Sequence, residues 1–166
     1  RPRFRLDAST PLPSPPPDAA PARHALLDCT TPLRLKRHDD SAPRDDRRAR
    51  FAEELDAVTL WRALVRRAQT LAIAYGGGPV VDRAPPPPFT VAREVSRTVP
   101  IRRWSSHHGK RMVWPGLVGL WRLTADHDAS PSDLEAWWRL LRFAEAVQIG
   151  SATGFGFGNV VVTAVG

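Results

Sequence analysis

The sequence has a single cysteine, Cys29, in 166 residues. That excludes an intrachain disulfide and a zinc site built on cysteines, and it fits a reducing cytoplasm. No apolar run approaches the roughly 20 residues that span a bilayer, and no signal peptide is legible, so no membrane partner is expected. Phosphate-binding P-loop, serine-nucleophile and zinc-protease motifs are all missing. His24, His38 and His127 are scattered without partners at ligand spacing, so neither metal nor cofactor is expected. Acidic residues are also in short supply: 17 Asp+Glu face 24 Lys+Arg, for a formal net charge of +7. Most of those cations are arginines, whose planar fork suits phosphate, and a polyanion is the leading partner. A basic balance serves solubility equally well, so charge alone does not decide.

What is present divides into a leader and a domain. Residues 1–22 hold seven prolines and read as a disordered or polyproline leader, with 23–166 as one domain. The first residue is Arg1 rather than Met, consistent with a piece of a longer protein. Ala25 to Lys36 reads as a strand in which Pro32 marks an edge or a bulge. Arg34, Lys36 and Arg37 give it a basic end, and residues 38–50 read as a solvated loop. A helix follows, with Asp56 near its N-cap. Its apolar stripe is Trp61, Leu64, Val65, Ala68, Leu71, Ala72 and Tyr75, with Arg62, Arg66, Arg67 and Gln69 on the outer side. The run Gly76 to Gly78 ends it, and Pro85 to Pro88 lie in the connection. Residues 94–105 and Met112 to Thr124 read as a hairpin, Pro115-Gly116 marking a bulge or an edge. Ser130, Pro131 and Asp133 start a second helix whose apolar side is Leu134, Trp137, Trp138, Leu141, Ala144 and Ala146 to Ile149.

The glycine-rich stretch from Gly150 to Gly158 follows, and Val160 to Val162 form a last strand. Four glycines in nine residues cannot form a helix interior. The order helix, glycines, strand is the reverse of a dinucleotide fingerprint, and it offers the loop a helix C-terminus, the wrong pole for phosphate. Anion binding here must therefore use loop amides or nearby basic side chains. A tight connection without ligand is the plain alternative. The complete order βαββαβ predicts an α+β, ferredoxin-like fold, a four-stranded antiparallel sheet with both helices on one face. The other face is left for RNA, a partner protein or a second domain.

Arg102, Arg103, Lys110 and Arg111 crowd the hairpin with Trp104 among them. Charge for a backbone and a ring for stacking are what an RNA site needs, though a solvated hairpin tip looks the same in sequence. His107 and His108 are the only adjacent imidazoles and are weak candidates for a general base. Phe155 and Phe157 could stack on bases, but apolar residues flanking one glycine more often plug a core.

The stretch Arg103 to Met112, then Gly116 to Gly119, Leu140 to Glu145 and Gly150 to Gly158, resembles the C-terminal half of a known family. The strand Thr31 to Lys36 and the helix around Leu64 to Arg67 match it as well. That family is the CRISPR-associated pre-crRNA-processing endoribonucleases of the RAMP superfamily. The resemblance implies two ferredoxin-like domains in the full protein, this chain being the second. It implies binding of CRISPR repeat RNA and metal-independent cleavage, with attack by a 2′-hydroxyl leaving 2′,3′-cyclic phosphate and 5′-hydroxyl ends. It places RNA contacts at Gly150, Ser151, Thr153, Gly154, Phe155, Gly156, Phe157 and Gly158 and at basic neighbours. The general-base histidine usually lies in the N-terminal domain, so this chain by itself is expected to lack it. Ser151 stands where a basic residue is common, Ala152 replaces a usual glycine and Asn159 a common arginine, which moves cationic charge out of the loop. The alternative is a non-catalytic subunit that holds CRISPR RNA or subunits of a CRISPR effector complex as a scaffold.

Overall fold

The structure is a computed structural model that describes residues 22–36, 51–75, 88–105 and 109–166. Residues 1–21 of the proline-rich leader, Arg37, the 38–50 loop, Gly76 to Gly78, Pro85 to Pro87, His107 and His108 lie outside the described residues. The order is β1 (His24–Leu33), α1 (Ala57–Ala74), β2 (Phe89–Ser105), β3 (Lys110–Ala125), α2 (Pro131–Val147) and β4 (Val160–Val165). The strands form one antiparallel sheet in the order β2-β3-β1-β4. This is the expected α+β, ferredoxin-like arrangement.

Both helices begin where the sequence places their caps. The Asp56 side chain accepts from the Thr59 backbone N–H at 2.8 Å and the Thr59 hydroxyl at 2.6 Å. Ser130 and Asp133 close a reciprocal capping box at 3.2 and 3.0 Å, with Pro131 entering the first turn. Hydrogen bonds from Ser130 hold the Asp133 carboxyl below its ordinary pKa. Each such cap typically stabilises a helix by about 1 kcal/mol.

One aromatic contact fixes the layers. Phe89 of β2 stacks on Trp137 of α2 at 5.4 Å and meets Trp61 of α1 edge-on at 6.1 Å. A single side chain touching both helices requires both on the same face. Ala25, Leu27 and Cys29 of β1 and Val160 and Val162 of β4 are buried with them, whereas Asp28, Val161 and Thr163, one position out of phase, are exposed. The hydrophobic effect has thus selected one phase of each strand.

The helix stripes are shorter than their periodicity predicts. Ala68, Leu71 and Ala72 are only half-buried and Tyr75 is exposed, because α1 runs on beyond the sheet. Arg67 is not an outer residue: its Nε and Nη2 donate to the Val147 carbonyl at 3.2 and 2.8 Å. A cation there neutralises the negative end of α2, where unsatisfied carbonyls gather.

Irregularities in the sheet matter for the site. The pairing of β1 with β3 slips between Cys29 and Leu33, at the Pro32 bulge, and β1 is an inner strand. No bulge occurs at Pro115-Gly116; Pro100 faces Pro115 in an unbroken register. Two prolines can oppose each other without losing ladder bonds only where neither N–H would point at the partner. The edge reading is correct, since β1 pairs with β3 no further than Leu117. Residues 110–116 and their β2 partners therefore form a two-stranded ribbon. The bulge lies in β2 instead, between Arg93 and Val95. The extra residue, Glu94, accepts from Arg122 at 2.6 Å. That insertion flips the alternation, so Phe89 and Val91 face the helices while Val95, Ile101 and Arg103 belong to the opposite face.

Candidate nucleic-acid interface

The glycine-rich segment is a closed loop stitched to the exit of β1. Ile149 N–H donates to the Gly158 carbonyl at 2.9 Å and closes its base. Gly158 N–H donates to Pro32 at 3.1 Å, and Ser151 N–H to Arg34 at 2.8 Å. Asn159 N–H reaches the Thr31 hydroxyl at 2.8 Å. Gly158 has φ +77°, and a Cβ there would lie 1.8 Å from the Ile149 carbonyl oxygen, so only glycine fits. At the crest, Thr153–Phe155 form a 3₁₀ turn. Before it, Ala152 sits at φ 68°, a left-handed conformation that favours glycine.

This geometry commits four of the loop amides to the fold itself. The amides of Ser151, Phe155, Gly156 and Gly158 already donate within the fold. Gly150, Ser151 and Gly158 hold the loop in place, and Thr153, Gly154, Phe155 and Gly156 form its outward part. Phe155 is 64% exposed and Phe157 is buried. The core-plug reading thus holds for Phe157 and fails for Phe155.

Phe155 points at the ribbon. Its ring meets Trp114 edge-on at 5.3 Å, and buried Phe157 supports the same indole at 6.1 Å. The Arg103 guanidinium lies 4.4 Å from the Trp114 centroid and 4.5 Å from that of Phe155. From the other side of the cluster, Arg34 lies 4.9 Å from Trp114 and 3.6 Å from Phe51. Phe51 is delivered there by an isolated bridge to Lys36. Ile101 pairs with Trp114 and Arg103 with Met112, so strand alternation puts Arg103 and Trp114 on one side of the ribbon. By the flip at Glu94, that side is the sheet face away from the helices.

The charge is uncompensated among the described residues. Neither Arg34 nor Arg103 makes an ion pair with a described carboxylate. The Arg34 Nε is buried without a hydrogen-bond partner among the described residues, and burial lowers the pKa of its guanidinium. A guanidinium stays charged even so. Both cations lie within 5 Å of one indole, so they are no more than about 9 Å apart. At an effective dielectric constant near 20 they repel by about 2 kcal/mol. The four ring contacts, at about 0.5–1 kcal/mol each, offset this repulsion. A ring does not take up a guanidinium's N–H donors, and a phosphate oxygen would. No acidic residue occurs from Val95 through Ala125, a stretch with six Arg and Lys.

The four basic hairpin residues do not share a site. Arg103 and Lys110 fall on the loop side of the ribbon, Arg102 and Arg111 on the reverse. Local sequence does not single out Trp114 or Phe51, and it shows Arg34 only as part of a basic strand end. The hairpin register is the signal that exposes Trp114, since pairing Ser105 with Lys110 puts it diagonal to Arg103. Among the described residues no group of His, Cys, Asp or Glu could hold a metal ion, and no helix is long and apolar enough to cross a membrane. A cavity of about 230 Å³ beside Glu54, Arg93 and Trp121 lies apart from this cluster.

Comparison with known proteins agrees with the fold. The model of the family "CRISPR-associated endoribonuclease Cas6" matches residues 27–160. No curated protein matches the sequence. Among similar solved structures is a Cas6 product complex, at 20% identity and TM-score 0.61, covering 88% of this chain and 53% of that one. Thermus thermophilus Cas6 follows at 17% identity and TM-score 0.54, with 87% and 55% covered. A partial Cas6-RT-Cas1–Cas2 complex matches at 10% identity and TM-score 0.53, with 87% and 23% covered. At such identities the likeness speaks for the fold, and the chain spans about half the length of the Cas6 structures it matches. With the family model covering four-fifths of its length, the chain belongs to the CRISPR-associated endoribonuclease Cas6 family.

Proposed function

We propose that this chain is the RNA-binding domain of an endoribonuclease that processes CRISPR precursor RNA. The observation that carries the reading is the Arg34–Trp114–Arg103–Phe155 cluster, two guanidiniums without a carboxylate partner among the described residues, around one indole beside an exposed ring. Guanidiniums take phosphates and the Phe155 ring takes a base, the combination that single-stranded RNA requires. Similar solved structures include product and substrate-mimic complexes of Cas6, which supports RNA as the ligand here.

The reaction proposed for the whole protein needs no metal. A 2′-hydroxyl oxygen attacks the adjacent phosphorus, its proton passes to a general base, and the bond to the 5′-oxygen breaks. The products carry a 2′,3′-cyclic phosphate and a 5′-hydroxyl. This chain contributes grip and alignment: the arginines fix phosphates near the scissile link, and fixed geometry is worth much of the barrier. The base is supplied from outside the described residues. A protein that assembles with other CRISPR subunits, as in the Cas6-RT-Cas1–Cas2 complex, could use the same grip as a scaffold.

The test is a binding and cleavage assay with repeat RNA in EDTA. Phe155→Ala and Arg103→Ala should each weaken binding, the latter by about 5- to 10-fold, with the salt slope falling by about 0.7. The 166-residue chain should bind without generating cyclic phosphate. Unchanged affinity in both variants would remove the site. Specific cleavage abolished by His107→Ala or His108→Ala would move the catalytic base into this chain.

A further inference from the structure

The reverse face of the β2–β3 ribbon carries a second cation–aromatic surface. There Trp104 pairs with Arg111 and Arg102 with Val113. Directly opposed residues on a sheet face have Cβ atoms about 4.5–5.5 Å apart, so these four side chains form one patch. Trp104 is 63% exposed and Val113 57%, although an indole and a β-branched side chain are ordinarily covered. No described residue makes an ion pair with Arg102 or Arg111. β1 does not reach this part of the sheet, since its pairing with β3 stops at Leu117.

We infer that this face is a second RNA-binding surface, taking a different segment of the same RNA from the one held by Trp114 and Phe155. An exposed indole offers a stacking plane to any base, and Arg102 and Arg111 flank it as phosphate partners. Among the described residues the patch has no carboxylate, which argues against a second copy of this chain, because like charges would then meet. The two faces lie on opposite sides of one pleated ribbon, so each takes its own stretch of the strand. The ribbon therefore stands between two unpaired segments and holds them apart. The inference rests on the RNA-binding reading above.

The experiment is fluorescence-anisotropy titration of the 166-residue chain with labelled unstructured polypyrimidine RNA of about 20 nucleotides and of about 5, bracketing the 4–16 nucleotides usual for one stacking groove. Trp104→Ala should weaken binding of the long RNA about 5- to 100-fold, and Trp104→Phe, which keeps a ring, should restore most of it. Arg102→Ala with Arg111→Ala should lower the salt slope by about 1.4. Combining Trp104→Ala with Phe155→Ala should multiply the single effects on the long RNA, as for independent sites. The short RNA, which can occupy one face at a time, should lose little in either single variant. If Phe155→Ala weakens binding and Trp104→Ala does not, RNA binding stands and the second surface is overturned. If no RNA binds the unmodified chain, both fall. A Trp104→Ala variant that loses self-association by light scattering with RNA affinity unchanged would make the face an interface between copies and overturn the inference.

Discussion

Replacing the glycines of the loop one at a time by alanine should give three different answers. Gly154 has open space around its Cβ position and no left-handed φ. Alanine there costs nothing and stiffens the unfolded chain, for a gain of up to about 1 kcal/mol. Gly156 also has open space but sits at φ +82°, so alanine meets only the left-handed penalty, about 1–2 kcal/mol. Gly158 adds to that penalty a Cβ 1.8 Å from the Ile149 carbonyl oxygen. Backbone cannot swing aside as a side chain can. The bond from Ile149 N–H to Gly158 and the bond from Gly158 N–H to Pro32 must open, and each buried group so orphaned costs about 1–3 kcal/mol. The sum is about 3–8 kcal/mol, or a Tm lower by about 6–32 °C for a chain of this size. Thermal melts followed by circular dichroism measure the series. Gly158→Ala melting within 2–3 °C of Gly154→Ala, a margin of about 1 kcal/mol, would refute the account of how the loop is closed.

Three further outcomes follow from single contacts. Arg67→Ala removes both hydrogen bonds at the C-terminus of α2 and should cost about 1–3 kcal/mol in urea unfolding, with Arg67→Lys recovering part; no change would make that cap idle. Arg142 and Glu145 cover the outer edge of β4, bonding the Val162 carbonyl at 3.0 Å and its N–H at 2.7 Å. Replacing both by alanine exposes an uncharged edge strand and should produce concentration-dependent association in sedimentation velocity; a variant that stays like the unmodified chain would show the edge is guarded otherwise. The Cys29 thiol is pushed up to about 12 by burial and then by Asp28, leaving about one thiolate in ten thousand at pH 8. A thiol reagent should therefore label it only after unfolding, and rapid labelling of the native chain would contradict the packing of β1.

Much of the candidate site was legible one residue at a time and invisible as a constellation. Arg103 and Phe155 are readable as cation and ring near a loop and a hairpin. Trp114 is not, because a tryptophan within an apolar strand is ordinarily core, and the face it lies on depends on the hairpin register. The four hairpin cations look like one cluster in sequence, since adjacent positions on a strand are adjacent in text. On a pleated ribbon neighbours point to opposite faces, so Arg102 and Arg103 are separated by the thickness of the sheet.

The sequence alone determined what local physics controls. Ser130-Pro131 and Asp56 start the helices because side-chain oxygens cap nearby N–H groups, and the βαββαβ order follows from apolar periodicity. The positive charge and the segment without acids are also properties of sequence alone. Only the tertiary structure decided which face that charge occupies. One inserted residue, Glu94, inverts the phase of β2 beyond Arg93, and the end of β1 pairing at Leu117 leaves half-buried Trp114 on a two-stranded ribbon. Arg34 and Phe155, 121 positions apart, meet around that indole because Gly158 lets two backbones approach more closely than any side chain would allow. Register and close approach are cooperative outcomes of packing, and no window of local sequence encodes them.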